Sequence, residues 1–244
     1  MHGAKMRIWK LLAVTIILVS ICSGIAFLSA ALAQTQGSAS FGSKVSSFDS
    51  DQGRTLSSFQ FNPKIVFVDG NIKGTFDSQD PVYISITPKG STIWENDIRL
   101  TQFGAFTAGS QVSLSDSDIG YGFSEFGKNG FPNVQVCFVD SNGDKAYGSD
   151  DPVYIDVNPG TVSPGDIRLT GYYTFAAGSR VTVSDSDNNK PTIPLPARLA
   201  FFNANGNTNI AGRAVYDMGD VVYVDTEWPF GRVTINDIRV STYF

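Results

Sequence analysis

Carboxylates and side-chain amides crowded into turns are the residues of this chain whose spacing suggests chemistry. The densest group is Asp140-Ser141-Asn142-Gly143-Asp144, followed by Asp150 and Asp151. Alternate side chains of a tight loop converge on one cation, and Ca²⁺ takes about 6–8 oxygen ligands. A second turn offers Asp69, Asn71, Asp77 and Asp80. A third substitutes Asn203, Asn205 and Asn207 and keeps Asp217 and Asp220, so its lower charge predicts a weaker site or none. The pairs Asp49/Asp51, Asp116/Asp118 and Asp185/Asp187 add carboxylates two residues apart, which repel on one side of a strand end unless neutralised. A cation would neutralise them, and so would the repeated arginines Arg99, Arg168 and Arg239. Beside the metal reading stands a plainer one. Asp and Asn form turns by hydrogen-bonding their own backbone, and a pair of aspartates can end a strand in water.

Other chemistries close early. The single histidine is His2, inside the leader described below, so no Ser-His-Asp triad, Cys-His pair or His-ligated zinc is expected. Acids are plentiful, but none stands in a context that marks an acid and a base for glycoside hydrolysis, and no enzyme is expected. Cys137 is the only cysteine after residue 33 and sits in Val136-Cys137-Phe138-Val139, which reads as a small buried hydrophobe. The arginines read as cross-strand ion pairs with nearby aspartates, worth about 0.2–1 kcal/mol each. Tyr83, Tyr154 and Tyr223 share a Val-Tyr-Ile/Val context that reads as sheet packing, not as a sugar platform.

These residues must be positioned by strands. Gly42-Ser43-Lys44-Val45 with Asp49-Ser50-Asp51 returns at Gly109–Val112 with Asp116–Asp118, and at Gly178–Val181 with Asp185–Asp187. Interleaved are Asp97-Ile98-Arg99, Asp166-Ile167-Arg168 and Asp237-Ile238-Arg239. Alternation in Val181-Thr182-Val183-Ser184 and Val153-Tyr154-Ile155-Asp156 marks half-buried strands, about four per unit. No stretch outside the leader has the period of an amphipathic helix. The expected class is all-β, an antiparallel β-sandwich or jelly-roll-like fold of three internal repeats after an N-terminal signal helix. The regions are a leader (1–33), a candidate donor strand (34–51) and repeats at 52–118, 119–187 and 188–244.

Lys5, Arg7 and Lys10 precede an uncharged run that ends in Ala31-Leu32-Ala33, the pattern of a secretory signal cleaved before Gln34. Its length also suits a retained anchor. Without those three basic residues, the 18 Lys+Arg fall to 15 against 23 Asp+Glu, which argues against nucleic acid or anionic lipid as partner. Membrane contact is expected only through an uncleaved leader, and the location is extracellular or cell-surface.

The first Gly-Ser-x-Val segment has no Asp-Ile-Arg before it, and the last Asp-Ile-Arg has no Gly-Ser-x-Val after it. If these segments pair, Gly42, Ser43 and Val45 seek the partner that Ile238 and Val240 lack, within the chain or in another copy. The leader, the repeated Asp-x-Val-Tyr-Ile/Val followed by Asp-Ile-Arg-Leu-Thr, and the acidic turns together resemble the cannula proteins of hyperthermophilic archaea. Those are secreted β-rich subunits that polymerise into hollow extracellular tubes. The resemblance implies Ca²⁺-assisted assembly in which the segment around Gly42–Phe48 completes a sheet in a neighbour. Expected partners are other copies of the chain and related paralogous subunits. The alternative is a monomeric calcium-dependent adhesion or glycan-binding module whose N-terminal segment pairs with its own C-terminal strand.

Overall fold

The computed structural model describes residues 40–86, 90–128, 133–227 and 229–241. The expected leader and residues 34–39 of the candidate donor segment lie outside them. The chain divides into two units, Met1–Gly37 with Phe48–Ser50, and Ser38–Ser47 with Asp51–Phe244. Every strand belongs to the second. Among the described residues there is no helix, and the sheets are antiparallel, as the alternation and turn chemistry required.

Among the described residues, eleven strands form three sheets. The first holds β1 (Lys64–Phe67), β2 (Val82–Ser85), β3 (Ile98–Arg99) and β4 (Ser124–Glu125), in the order β3-β2-β1-β4. The second repeats that order with β5 (Gln135–Phe138), β6 (Val153–Asp156), β7 (Ile167–Arg168) and β8 (Ile193–Pro194), arranged β7-β6-β5-β8. The third has β9 (Arg198–Phe202), β10 (Val221–Asp225) and β11 (Ile238–Arg239), arranged β11-β10-β9. Registers correspond across the three: Tyr83 faces Arg99, Tyr154 faces Arg168 and Tyr223 faces Arg239. β4 follows residue 118 and β8 follows residue 187, so the first two sheets take their last strand from beyond the sequence unit that supplies the rest.

Strand alternation explains the packing. In β2, Val82 and Ile84 point to a core shared by all three sheets, with Val153 and Ile155 of β6 and Val222 and Val224 of β10 as counterparts. Phe67, Phe138 and Phe201 join the same core. The opposite faces are not solvated, because each is covered by its own smaller cluster. Tyr83 packs with Val66, Ile93 and Val112, Tyr154 with Val139, Val162 and Val181, and Tyr223 with Ala200, Val233 and Val45. The packing is sandwich-like in that each sheet buries both faces on apolar side chains, with three sheets around one core instead of two. Cys137 is buried as expected, and burial pushes its thiol up to about 12.

Candidate functional site

The three Asp-Ile-Arg strands are the nodes of the molecule. Each aspartate ends a turn, and the residue before it, Asn96, Gly165 or Asn236, has positive φ, a conformation open to glycine and tolerated by asparagine. That turn aims the carboxylate inward at two backbone amides. Asp97 accepts from Ile86 and Trp94 at 2.9 Å each, Asp166 from Val157 at 2.9 Å and Ser163 at 2.7 Å, and Asp237 from Thr226 and Thr234 at 2.8 Å each.

Burial pushes Asp166 and Asp237 up to about 6 despite these bonds. An aspartate raised on folding takes up a proton on folding between its unfolded value near 3.9 and about 6. Its favourable contribution is complete below the lower value and lost as pH rises through the upper. Asp185, held at about 2 by bonds from Arg168 and Thr182, works in the opposite sense and loses its contribution as pH falls below about 4. Thermal stability is therefore expected to peak near pH 4 and to decline as pH rises to about 6. A melting temperature that rises steadily from pH 4 to 8 would contradict this.

The arginines two residues on are buried, Arg99 and Arg168 completely. Arg99 donates from Nε to Asp118 Oδ2 at 2.8 Å and from Nη2 to Asp118 Oδ1 at 2.7 Å and Asp116 Oδ2 at 2.8 Å. Its Nη1 donates to Ser110 Oγ and the Gln111 carbonyl, both at 3.1 Å, so all five guanidinium protons are used. Arg168 repeats the set on Asp187, Asp185, Ser179 and the Arg180 carbonyl. The phenols of Tyr83 and Tyr154 donate to Asp118 and Asp187 at 2.9 Å each. Burial first, then the adjacent aspartate, raises both tyrosines far above the ordinary phenol value.

These contacts correct part of the metal reading. The oxygens of Asp116, Asp118, Asp185 and Asp187 accept from arginine, with tyrosine adding to Asp118 and Asp187, so arginine supplies the neutralising charge. The ion pairs are also not the weak exposed type expected from sequence. Tyr83, Tyr154 and Tyr223 are buried anchors, as their sequence context suggested.

The acidic turns close on their own backbone. Asp80 accepts from Gly70 at 3.1 Å and Asp77 at 2.8 Å, and Asp151 from Ser141 at 2.7 Å and Gly148 at 2.9 Å. Asp220, in the asparagine-rich turn, does the same with Ala204 and Asp217. Asp69 accepts from Lys73 and Gly74, while Asp77 takes the side chains of Asn71 and Lys73. Asp140 accepts from Gly143 and Lys145, Asn142 from Asp144, and Asp144 from Ala146. Asp150 is exposed. Among the described residues, no three Asp, Glu, His or Cys side chains are grouped to hold a metal ion.

At the third sheet the node is completed from the far end of the sequence. Gly42 N donates to the Arg239 carbonyl at 2.7 Å, Arg239 N to Ser43 O at 3.1 Å and Val45 N to Asp237 O at 2.8 Å. Arg239 bonds Asp51 from Nε at 2.8 Å and from Nη2 at 2.6 Å, and Tyr223 donates to the same carboxylate. Gly42, Ser43, Val45, Ile238 and Val240, expected at a subunit interface, thus meet inside one chain, and Val45, Ile238 and Val240 are buried there. The physical reason is that an edge strand accepts any strand offering the same amides and carbonyls, and the chain's own lies within reach.

A cavity of about 730 Å³ lies among the sheets, walled by Ile84, Leu100, Ile155, Leu169, Val224 and Val240. Among the described residues its lining carboxylate is Glu125, tied to Lys64 at 2.7 Å and Lys128 at 2.5 Å. The inward-facing Asp97, Asp166 and Asp237 went unassigned in the sequence reading, although their threefold recurrence before Ile-Arg was the available signal. Comparison with protein families, curated proteins and solved structures finds no match to this chain.

Proposed function

We propose that the chain is a secreted structural subunit that joins copies head to tail into an extracellular tubule or filament. One subunit's Gly42–Val45 strand would complete the third sheet of the next. The observation that carries this reading is connectivity. The closing strands of the first two sheets arrive through tight hairpins, Phe103 paired with Phe106 and Tyr172 with Phe175. The third arrives from about 190 residues upstream and holds its sheet by non-covalent contacts alone. An identical strand from a second copy can replace it bond for bond. A contact between two different surfaces then propagates instead of closing into a dimer, and strand addition supplies backbone hydrogen bonds along the edge.

Calcium assistance belongs to the same proposal. Asp140, Asn142 and Asp144 lie at or near the surface, and their oxygens keep lone pairs beyond the amides they accept, so these residues would hold Ca²⁺, with Asp69, Asn71 and Asp77 in the corresponding turn. Asp116, Asp118, Asp185 and Asp187 have no part in it.

The test is negative-stain microscopy and sedimentation of the leader-free protein, with Ca²⁺ and with chelator, beside a variant lacking Gln34–Asp51. The expected result is polymer from the longer protein with Ca²⁺ and none from the truncation. Equal assembly by both rules out strand donation. The self-closed third sheet favours a second reading, a monomeric calcium-dependent adhesion or glycan-binding module. A protein that stays monomeric with Ca²⁺ and binds a glycan array would establish that reading instead.

A further inference from the structure

To the backbone, the three closing strands are the same object. The amides of Gly42, Gly109 and Gly178 each donate at 2.7 Å to an arginine carbonyl, and those of Val45, Val112 and Val181 donate at 2.8–2.9 Å to an aspartate carbonyl. Ser43, Ser110 and Ser179 each accept from the arginine Nη1 at 3.0–3.1 Å. Nothing in this pattern says which strand belongs to which sheet. The third residue of each segment does, because its side chain crosses to the acidic turn of a different sheet.

Lys44, closing the third sheet, reaches the second sheet's turn. Its Nζ donates to the carbonyls of Gly148 at 2.7 Å, Ser149 at 3.2 Å and Asp151 at 2.6 Å, and lies 4.6 Å from the Tyr147 ring centre. Three converging acceptors match an ammonium, which has three donors and no acceptor. Gln111, closing the first sheet, reaches the third sheet's turn. There it donates to the Tyr216 hydroxyl and to Asp220 O at 3.5 Å, and accepts from Gly219 N at 3.2 Å. Lysine there would leave the Gly219 amide without that acceptor. Arg180, closing the second sheet, reaches the first sheet's turn, donating to Asp80 O with its guanidinium 5.1 Å from the Phe76 ring centre.

We infer that Lys44 selects the docking site of the N-terminal strand. The edge Asp237–Arg239, flanked by the carbonyls of Gly148, Ser149 and Asp151, is a receptor for a Gly-Ser-x-Val strand of this chain in which x carries an ammonium or guanidinium. This excludes the Gly109–Val112 strand, while the Tyr172–Phe175 hairpin keeps Gly178–Val181 on its own sheet. The inference rests on the join within one chain and not on polymer formation, so either can fail without the other.

The experiment is amide hydrogen–deuterium exchange on the full chain, wild type against K44Q, which installs the side chain of the Gly109–Val112 strand, and K44R, which keeps a cation. K44Q is expected to speed exchange at Gly42 and Val45 by about tenfold or more, the loss expected for hydrogen bonds to a charged group. K44R should stay within about threefold of wild type. Gly109, Val112, Gly178 and Val181 should keep their wild-type rates in both variants. Unchanged exchange in K44Q, a similar loss at all three strands, or a loss in K44R as large as in K44Q overturns the assignment.

Discussion

Replacing Asp187 by alanine is expected to cost about 3–5 kcal/mol of folding stability, the usual penalty for removing one partner of a buried ion pair. For a domain of this size that lowers the melting temperature by roughly 6–20 °C. Asp187 is fully buried and receives Arg168 Nε at 2.8 Å, Arg168 Nη2 at 2.7 Å and the Tyr154 hydroxyl at 2.9 Å. Its loss leaves two guanidinium N–H donors and a phenol without these acceptors in a water-excluded place, although Arg168 keeps Asp185, Ser179 and the Arg180 carbonyl. Asp185 bonds the same arginine at 2.8 Å, but its side chain is 12% exposed, so water can replace it and D185A should cost clearly less. Removing both members, in R168M/D187L, should recover part of the loss of D187A, because the carboxylate left behind, Asp185, is the one that water can reach. Thermal or urea unfolding of the four proteins checks this, and a D187A loss under about 1 kcal/mol would mean that the node is dispensable.

Replacing Gly178 by alanine is expected to cost about 2–5 kcal/mol through two additive causes, a left-handed backbone and a collision. Gly178 has φ near +79°, and a Cβ there would overlap the Ala108 Cβ and stand 3.2 Å from the Leu100 carbonyl oxygen. Gly109 meets Phe41 in the same way, and Gly42 meets Ala177. Each glycine therefore abuts the residue that precedes another, and the cycle closes over all three segments. Gly143 is the control. Its φ is +82° but nothing lies within 4 Å of its Cβ position, so G143A should show the backbone cost alone, about 1–2 kcal/mol. If G178A and G143A lose the same stability, the three closing strands are not in the close contact described.

Much of this was legible in the residues. Alternation in Val153-Tyr154-Ile155-Asp156, the turn-forming Asp and Asn runs and the lack of helical periodicity pointed to antiparallel all-β structure, because side-chain period and turn chemistry are local properties. The recurrence of Asp-Ile-Arg and Asp-Ser-Asp made arginine a candidate partner for the paired aspartates. Burial was not legible. A sequence does not say that Arg99 and Arg168 lie wholly out of water, and that turns an ion pair worth a few tenths of a kcal/mol into one whose disruption costs several. The choice between cation and arginine at Asp116/Asp118 and Asp185/Asp187 likewise depended on residues 17–19 positions away meeting across a sheet.

The carboxylate-rich turns and the repeated strands were thus determined by sequence alone, since each is a matter of neighbours along the chain. Tertiary structure alone decided where the unpaired Gly42–Val45 segment goes. Strand edges recognise backbone, and backbone is the same in all three closing segments. Only the fold brings Lys44 against Gly148, Ser149 and Asp151 while Arg239 closes on Asp51, so only the fold distinguishes one edge from another.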